Sequence, residues 1–343
     1  MIPSTREDFG RESANSVIKR LFVSGKASVC GKLDRRGEAH WSPRGRFVRP
    51  TCFQAARPLQ PIIIRRSRFQ LVYDKIKSVP SKNTIDLTGK VAVVTGSSSG
   101  IGRAIALQLA ANGANLVVHA CQSEAAGKTV VEQAQDLGVE SQLILADISQ
   151  PQSVIELVDS CWQWRDGVDI WINNAGADVL TGAASEFSFD QKLQRLWEVD
   201  VLGTIRVARL VGQRMKERGQ GTIVNVGWDQ ADFGMAGDSG EMFAATKGAI
   251  MSFTRSLARS LAPQVRVNCL APGWIRTAWG DQASNYWNER AQKESLLQRW
   301  GTPQDVANTA CFLASPAAAF VTGQIVAVNG GLVGSGNRSD CDE

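Results

Sequence analysis

The stretch Lys90-Val91-Ala92-Val93-Val94-Thr95-Gly96-Ser97-Ser98-Ser99-Gly100-Ile101-Gly102 governs the reading of this chain. Lys90–Thr95 is short and nearly all apolar, as expected of a strand buried on both faces. Glycines follow, and from Ile101 to Ala111 the apolar residues fall at helical spacing. A glycine cluster alone is a weak signal. Between a strand and a helix, at the start of a βαβ unit, it gains a physical meaning. The glycines allow a tight turn and close approach of a pyrophosphate. The helix then presents its free N–H groups and positive dipole end to those phosphates.

Downstream the alternation repeats. Strands are predicted at Asn115–Ala120, Ser141–Ala146, Asp169–Asn173, Gly221–Gly227, Val265–Leu270 and Gln324–Val328. Helices are predicted at Ala125–Leu137, Pro151–Trp164, Phe189–Glu217, Met242–Leu261 and Pro303–Leu313. Strand–helix alternation at this spacing implies a parallel sheet with helices on both faces. The expectation is an α/β fold: one doubly wound Rossmann-type domain over 87–332, with a seven-stranded parallel sheet.

The flanks read differently. Residues 1–85 carry 18 Lys+Arg against 6 Asp+Glu, while the rest carries 20 against 27. The net charge of +5 therefore hides a basic extension on an acidic body. Residues 333–343 are a polar C-terminal tail, while segment 1–86 shows no sustained period and reads as disordered. A nucleic-acid-binding arm or a transit peptide are its functional alternatives. No recognisable nucleic-acid-reading module supports the first. No apolar run approaches the roughly 20 residues that span a bilayer. No apolar h-region follows Glu7 and Asp8, so no signal peptide is expected. The seven cysteines are scattered, with no C-x-x-C pair, which suits free thiols in the cytoplasm. With His40 and His119 the only histidines, no metal site is expected.

Further motifs follow the strands in order. They are Asp147-Ile148, Asn173-Asn174-Ala175-Gly176, Lys247 within a helix, Pro272-Gly273, and Asn329-Gly330-Gly331. With Thr95–Gly102 they resemble the short-chain dehydrogenase/reductase family, and most of all its 3-oxoacyl-acyl-carrier-protein reductase-like members. VRVNCLAPGWIRT and RWGTPQDVANTACFLASPAAAFVTGQIVAVNGG are very similar to the C-terminal halves of those proteins.

The resemblance implies an NAD(P)-dependent oxidoreductase moving hydride between cofactor and a carbonyl or hydroxyl. It implies pyrophosphate contacts from Thr95, Gly96, Ser98, Gly100, Ile101 and Gly102. Asp147 and Ile148 would flank the adenine, and Asn174, Ala175 and Gly176 would line the ribose. Lys247 would hold the nicotinamide ribose hydroxyls. Pro272, Gly273, Ile275 and Thr277 would meet the carboxamide. Trp279–Trp300 would form a substrate lid. The substrate would be a small-molecule or acyl-thioester carbonyl compound, and the assembly a homotetramer or homodimer.

The catalytic pattern departs from the family. A Tyr proton donor is expected four residues before Lys247, on the same helix face, but the chain has Phe243 there. The expected Ser reads Trp228, and the expected Asn reads Asp200. Two readings stay open. In one, a carboxylate takes over the proton work: Asp200 paired with Lys247, or Asp229 or Asp238 in the altered loop. In the other, the domain binds cofactor without turnover, as a sensor or scaffold, and the aromatic residues are packing.

Cofactor choice turns on the end of the second strand. An acid there bonds the ribose 2′-hydroxyl and repels a 2′-phosphate. Ala120 occupies that place, and His119 and Gln122 can bond either form. The reading favours NADP(H) over NAD(H).

Overall fold

The computed structural model describes residues 85–331. Apart from Ile85 and Asp86, the basic extension lies outside the described residues, and so does the tail 333–343.

Seven parallel strands form one sheet: β1 (Val91–Val94), β2 (Asn115–Ala120), β3 (Ser141–Leu145), β4 (Ile170–Asn173), β5 (Gly221–Val226), β6 (Val265–Pro272) and β7 (Ile325–Val328). Their order is β3-β2-β1-β4-β5-β6-β7. The chain therefore winds outward from β1 in one direction and from β4 in the other. The crevice where the two halves part, beyond the carboxyl ends of β1 and β4, is where open α/β sheets bind ligands.

Helices α1 (Gly100–Ala111), α2 (Glu124–Asp136), α3 (Pro151–Trp164), α4 (Phe189–Leu196), α5 (Thr204–Arg218) and α6 (Asp238–Leu261) follow the first strands. Then come α7 (Ala278–Asp281), α8 (Asn285–Glu294) and α9 (Pro303–Ala314). Two apolar clusters cover the two faces of the sheet. One packs Ile105, Leu109 and Val306 of α1 and α9 on Val94 and Ile172. The other packs Leu157, Val207 and Val211 of α3 and α5 on Val93 and Trp171. Burial on both faces explains why these strands read as unbroken apolar runs.

Two differences from the sequence reading matter. The single helix expected at Phe189–Glu217 is interrupted by a π-helical segment, Trp197–Gly203, between α4 and α5. The wider turn buries Val199, Asp200, Val201 and Gly203 together, and such segments recur at functional sites. Helices α7 and α8 were not anticipated. Their sequence carries Trp, Asn and Gln at no clear period.

Buried polar atoms in mid-sheet are chained rather than abandoned. Trp171 Nε1 donates to Asn173 Oδ1, Asn173 Nδ2 to Asn225 Oδ1, and Asn225 Nδ2 to Thr254 Oγ1. Each bond removes the cost of an unsatisfied interior group and ties β4 and β5 to α6.

Candidate active site

The glycine turn after β1 is built by neighbours on both sides. Thr95 Oγ1 accepts from the amides of Asn174 and Ala175, both at 3.0 Å. Asn174 Nδ2 donates back to Thr95 O and Gly96 O, at 3.1 Å each. The carboxyl ends of β1 and β4 are thus locked together at the switch point. Gly96 adopts φ +62°, and a Cβ there would come 2.8 Å from Ala175 Cα. A Cβ on Gly102 would overlap Gly96 O and Asn174 Nδ2. Both positions therefore require glycine for packing. Gly100, at φ +54°, differs: its Cβ would meet nothing nearer than Thr277 Cγ2 at 3.8 Å.

Ser99 precedes α1 in an extended conformation and its side chain makes no capping bond. The opening amides of α1 therefore have no side-chain partner at this exposed rim. Those are the orphan donors that an anion satisfies. The cradle fits a dinucleotide pyrophosphate.

His119 occupies a place different from the one expected. Its ring is buried beneath the turn. Gly96 N donates to Nδ1 at 3.0 Å, and Nε2 lies 3.0 Å from Ala146 O. Accepting at Nδ1 fixes the proton on Nε2. Burial pushes the imidazole pKa down to about 4. With both nitrogens engaged inside the protein, His119 supports the turn instead of reaching toward a ribose. Thr95 and Ile148 are likewise buried, with Ile148 in the apolar cluster under α3. Asp147 Oδ1 accepts from Ser149 N at 2.9 Å, shaping the turn after β3.

A cleft of about 550 Å³ opens beside the turn. Ile101, Asn174, Lys247, Pro272, Gly273, Ile275 and Thr277 line it together, bringing seven of the expected residues to one place. Its other walls are Leu180, Val226, Gly227, Trp228, Met235, Ser239, Phe243, Trp274, Trp287 and Trp300. Among the described residues of its lining, Lys247 is the one ionisable side chain.

Lys247 Nζ lies 2.8 Å from Asp200 Oδ2, whose carboxylate is 2% exposed. Asp200 Oδ1 also accepts from Ala177 N at 2.8 Å. A Cβ on Gly176 would approach Asp200 Oδ2 to 2.9 Å, so that glycine admits the carboxylate to the β4 loop.

The other two aspartates part company. Asp238 is exposed in the first turn of α6, where a carboxylate complements the helix dipole. Its place corrects the expectation of an acid facing the cleft. Asp229 is buried in a short 3₁₀ turn, and its Oδ2 accepts from Asn329 Nδ2 at 3.0 Å. Burial pushes its pKa up to about 6, with nearby Glu294 adding to the rise. It sits behind Gly273, whose Cβ would lie 2.9 Å from Asp229 Oδ2, and it is not part of the cleft lining.

Trp228 and Phe243 meet edge to face, with ring centroids 6.2 Å apart and planes at 66°. They stand where the sequence pattern called for hydroxyls.

The family profile described as enoyl-(acyl carrier protein) reductase matches residues 96–333, more than half of the chain. The chain belongs to the short-chain dehydrogenase/reductase family. This is a family of NAD(P)-binding Rossmann-fold oxidoreductases, and the chain's overall similarity is to its 3-oxoacyl-acyl-carrier-protein reductases. The 3-oxoacyl-[acyl-carrier-protein] reductase FabG of Aquifex aeolicus (strain VF5) is 34% identical over 252 residues, covering 72% of this chain and 99% of that protein. Nodulation protein G of Rhizobium sp. (strain N33) is 36% identical over 251 residues, covering 72% and 98%. Among solved structures, a 7α-hydroxysteroid dehydrogenase complexed with NADH and 7-oxo glycochenodeoxycholic acid superposes with a TM-score of 0.67 at 32% identity, covering 74% of this chain and 98% of that one. A gluconate 5-dehydrogenase from Burkholderia cenocepacia J2315, in complex with NADP and tartrate, gives 0.65 at 29% identity, covering 72% and 96%.

In this short-chain dehydrogenase/reductase, Trp228 and Phe243 share one cleft lining with Lys247. Sequence reasoning missed His119 as a prop, Asn329 as the partner of Asp229, and Trp274 as cleft wall; Trp287 lies in the Trp279–Trp300 stretch expected on the substrate side. Asn329 stood within a quoted motif, but only the pairing of β5 with β6 and of β6 with β7 brings it to Asp229. Among the described residues no helix is long and apolar enough to cross a membrane, and no cluster of metal-ligating side chains occurs.

Proposed function

We propose that this chain binds NADP(H) in preference to NAD(H), and takes a carbonyl or alcohol substrate, a small molecule or an acyl thioester, in the adjoining cleft. The bound dinucleotide would supply or accept the hydride. Gly96, Ser98, Gly100, Ile101 and Gly102 would hold its pyrophosphate, with Thr95 setting their turn. Asp147 and Ile148 would border the adenine, and Asn174, Ala175 and Gly176 the ribose. Lys247 would bind the second ribose. Pro272, Gly273, Ile275 and Thr277 would face the carboxamide. The observation that carries this reading is the turn itself: uncapped amides at the start of α1, with Gly96 and Gly102 packed too tightly to accept a side chain.

On the substrate side, the Lys247 ammonium, fixed by Asp200, is the ionisable group that could hold a proton at an oxygen in the cleft, whose lining also includes Ser239 and Thr277. Phe243 cannot exchange one. Losing a positioned general acid typically costs about 10²–10⁴ in rate, so turnover of ordinary ketones by this chain should be slow. The contact between Trp228 and Phe243 favours a second reading, in which dinucleotide binding itself is the function and the protein acts as a sensor or scaffold.

Calorimetry with NADPH and NADH tests the first step. Tenfold tighter NADH would refute the cofactor preference, and no binding of either would refute the whole assignment. Cofactor oxidation with acetoacetyl thioesters and a panel of small ketones then separates the two readings. Turnover lost in Asp200→Asn or Lys247→Ala supports the enzyme. Tight binding without turnover supports the sensor. The chain is also proposed to self-associate as a homotetramer or homodimer through α4, α5 and α6. Ala244, Ala245, Gly248 and Ala249 of α6 are partly or fully exposed here. Light scattering of the purified protein checks it.

A further inference from the structure

The substrate side of the cleft has a composition that the proposed function does not by itself explain. Five aromatic residues from five separate places in the chain converge on it: Trp228 after β5, Phe243 in α6, Trp274 after β6, Trp287 in α8 and Trp300 before α9. Such convergence goes beyond ordinary packing of one element on another. Trp228 and Phe243 form a corner, their planes at 66°. A third ring can stack on one and meet the other edge-on, the two arrangements aromatic quadrupoles prefer.

The three tryptophans of the lining pack on one another. Trp274 and Trp287 lie with centroids 5.5 Å apart, and Trp274 and Trp300 at 5.9 Å. The Arg290 guanidinium sits over both Trp274 and Trp287, 5.6 and 5.3 Å from their centroids. Glu294 binds Arg290 Nε at 2.6 Å and accepts from Trp274 Nε1 at 2.8 Å, closing the group. Aromatic walls favour a flat ring that can stack on them, and a rigid ligand avoids the cost of freezing the rotors of a flexible chain on binding.

Charge narrows the choice further. The Lys247 ammonium is already matched by Asp200, and Glu294 by Arg290. Asp229 lies buried just behind Gly273. Among the described lining residues Lys247, already paired, is the one cation, and the carboxylate of Asp229 behind Gly273 opposes an anionic head group; the Arg276 guanidinium lies 5.7 Å from the Trp300 ring and is taken up by that face.

We infer that the cleft beyond the dinucleotide takes a flat, uncharged ligand of two or three fused rings, an aromatic ketone or the corresponding alcohol, seated in the corner of Trp228 and Phe243 with its oxygen toward Lys247. This inference rests on the dinucleotide reading above, and its test keeps the two apart.

The probe is 2-acetylnaphthalene, compared with decan-2-one, by calorimetry on the full chain alone and saturated with NADPH or NADP⁺. Dinucleotide affinity is measured on the same samples. The naphthyl ketone should bind the loaded protein at least tenfold more tightly than the aliphatic ketone. Trp228→Ser should weaken the naphthyl ketone about tenfold and leave the aliphatic one within twofold. Phe243→Leu, which keeps the bulk but removes the ring, gives the same expectation should the first variant not fold. Equal or tighter binding of decan-2-one, or naphthyl affinity untouched by the variants, overturns the inference even if the dinucleotide binds well. Selective naphthyl binding without any dinucleotide affinity would sink the cofactor reading and leave the ring-binding cleft standing.

Discussion

Lys247 in α6 and Asp200 in the π-helical segment form an ion pair of 2.8 Å that is almost wholly withdrawn from water. The carboxylate spends its other oxygen on the Ala177 amide. The pair thus joins three elements: α6, the segment ahead of α5, and the loop after β4. Its position at the cleft edge makes it a structural joint of the site.

Removing one partner of a buried pair strands the other charge, which typically costs about 3–5 kcal/mol. Lys247→Met should therefore destabilise the protein by about 3 kcal/mol, because Asp200 is the more buried partner. Adding Asp200→Asn should recover part of that loss, since the amide still accepts from Ala177 N. Urea unfolding of the single and double variants measures the difference. A double variant as unstable as the sum of both singles would show that the two side chains act independently.

The second prediction concerns pH. His119 titrates near 4 in the folded chain because burial disfavours its charged form, against 6.5 when exposed. Unfolding therefore takes up a proton between these values. The stabilisation is complete above about pH 6.5, declines as pH falls, and is gone below about pH 4. At pH 5 the loss is about 2 kcal/mol relative to pH 7, by proton linkage. Urea melts of wild type and His119→Asn at the two pH values check this. The variant should lack this component of the decline. An unchanged decline would assign the effect to carboxylates.

Much of this architecture was legible, and the exceptions have physical causes. β2, Asn115–Ala120, was read with both ends correct because six consecutive residues suit burial between two helix layers. That same double burial hid His119. In a strand covered on both faces, the pattern does not say whether a polar side chain looks toward a ligand or a neighbouring turn. The π-helical segment was invisible because Phe189–Glu217 keeps an amphipathic texture throughout, and an extra residue per turn leaves no signature in it. Lys247 and Asp200 were paired correctly because two independent motif positions pointed to one site. Asp229 could not be placed, since its burial depends on Gly273 and Asn329, distant in sequence and joined only through β5, β6 and β7.

A third prediction separates two glycines of the same turn. Gly102→Ala pushes a methyl into Gly96 O and Asn174 Nδ2. It should cost about 1–3 kcal/mol in stability, as overpacking does, and abolish measurable dinucleotide binding. Gly100→Ala meets open space within the chain but adopts φ +54°, so strain of about 1 kcal/mol is expected. Thermal melting and calorimetry with NADPH give both quantities. Equal stability losses in the two variants would contradict the packing described here.

The last prediction asks whether the lost hydroxyls are the whole defect. Phe243 is half-buried at the cleft wall, four residues before Lys247 on the same face of α6. A phenol placed there by Phe243→Tyr would lie on the same helix face as an ammonium that Asp200 already orients. Trp228→Ser opens the corner and supplies a hydroxyl from the end of β5. If proton supply limits turnover, the double variant should reduce small ketones about 10²–10⁴-fold faster than the native chain, the usual worth of a positioned acid. Phe243→Tyr alone should gain less, because it leaves the end of β5 without a hydroxyl to orient the ketone oxygen. NADPH oxidation followed by absorbance measures each step. A double variant that binds NADPH normally yet turns over no faster would mean that the remaining aromatic wall, and not the missing acid, sets the chemistry of this cleft.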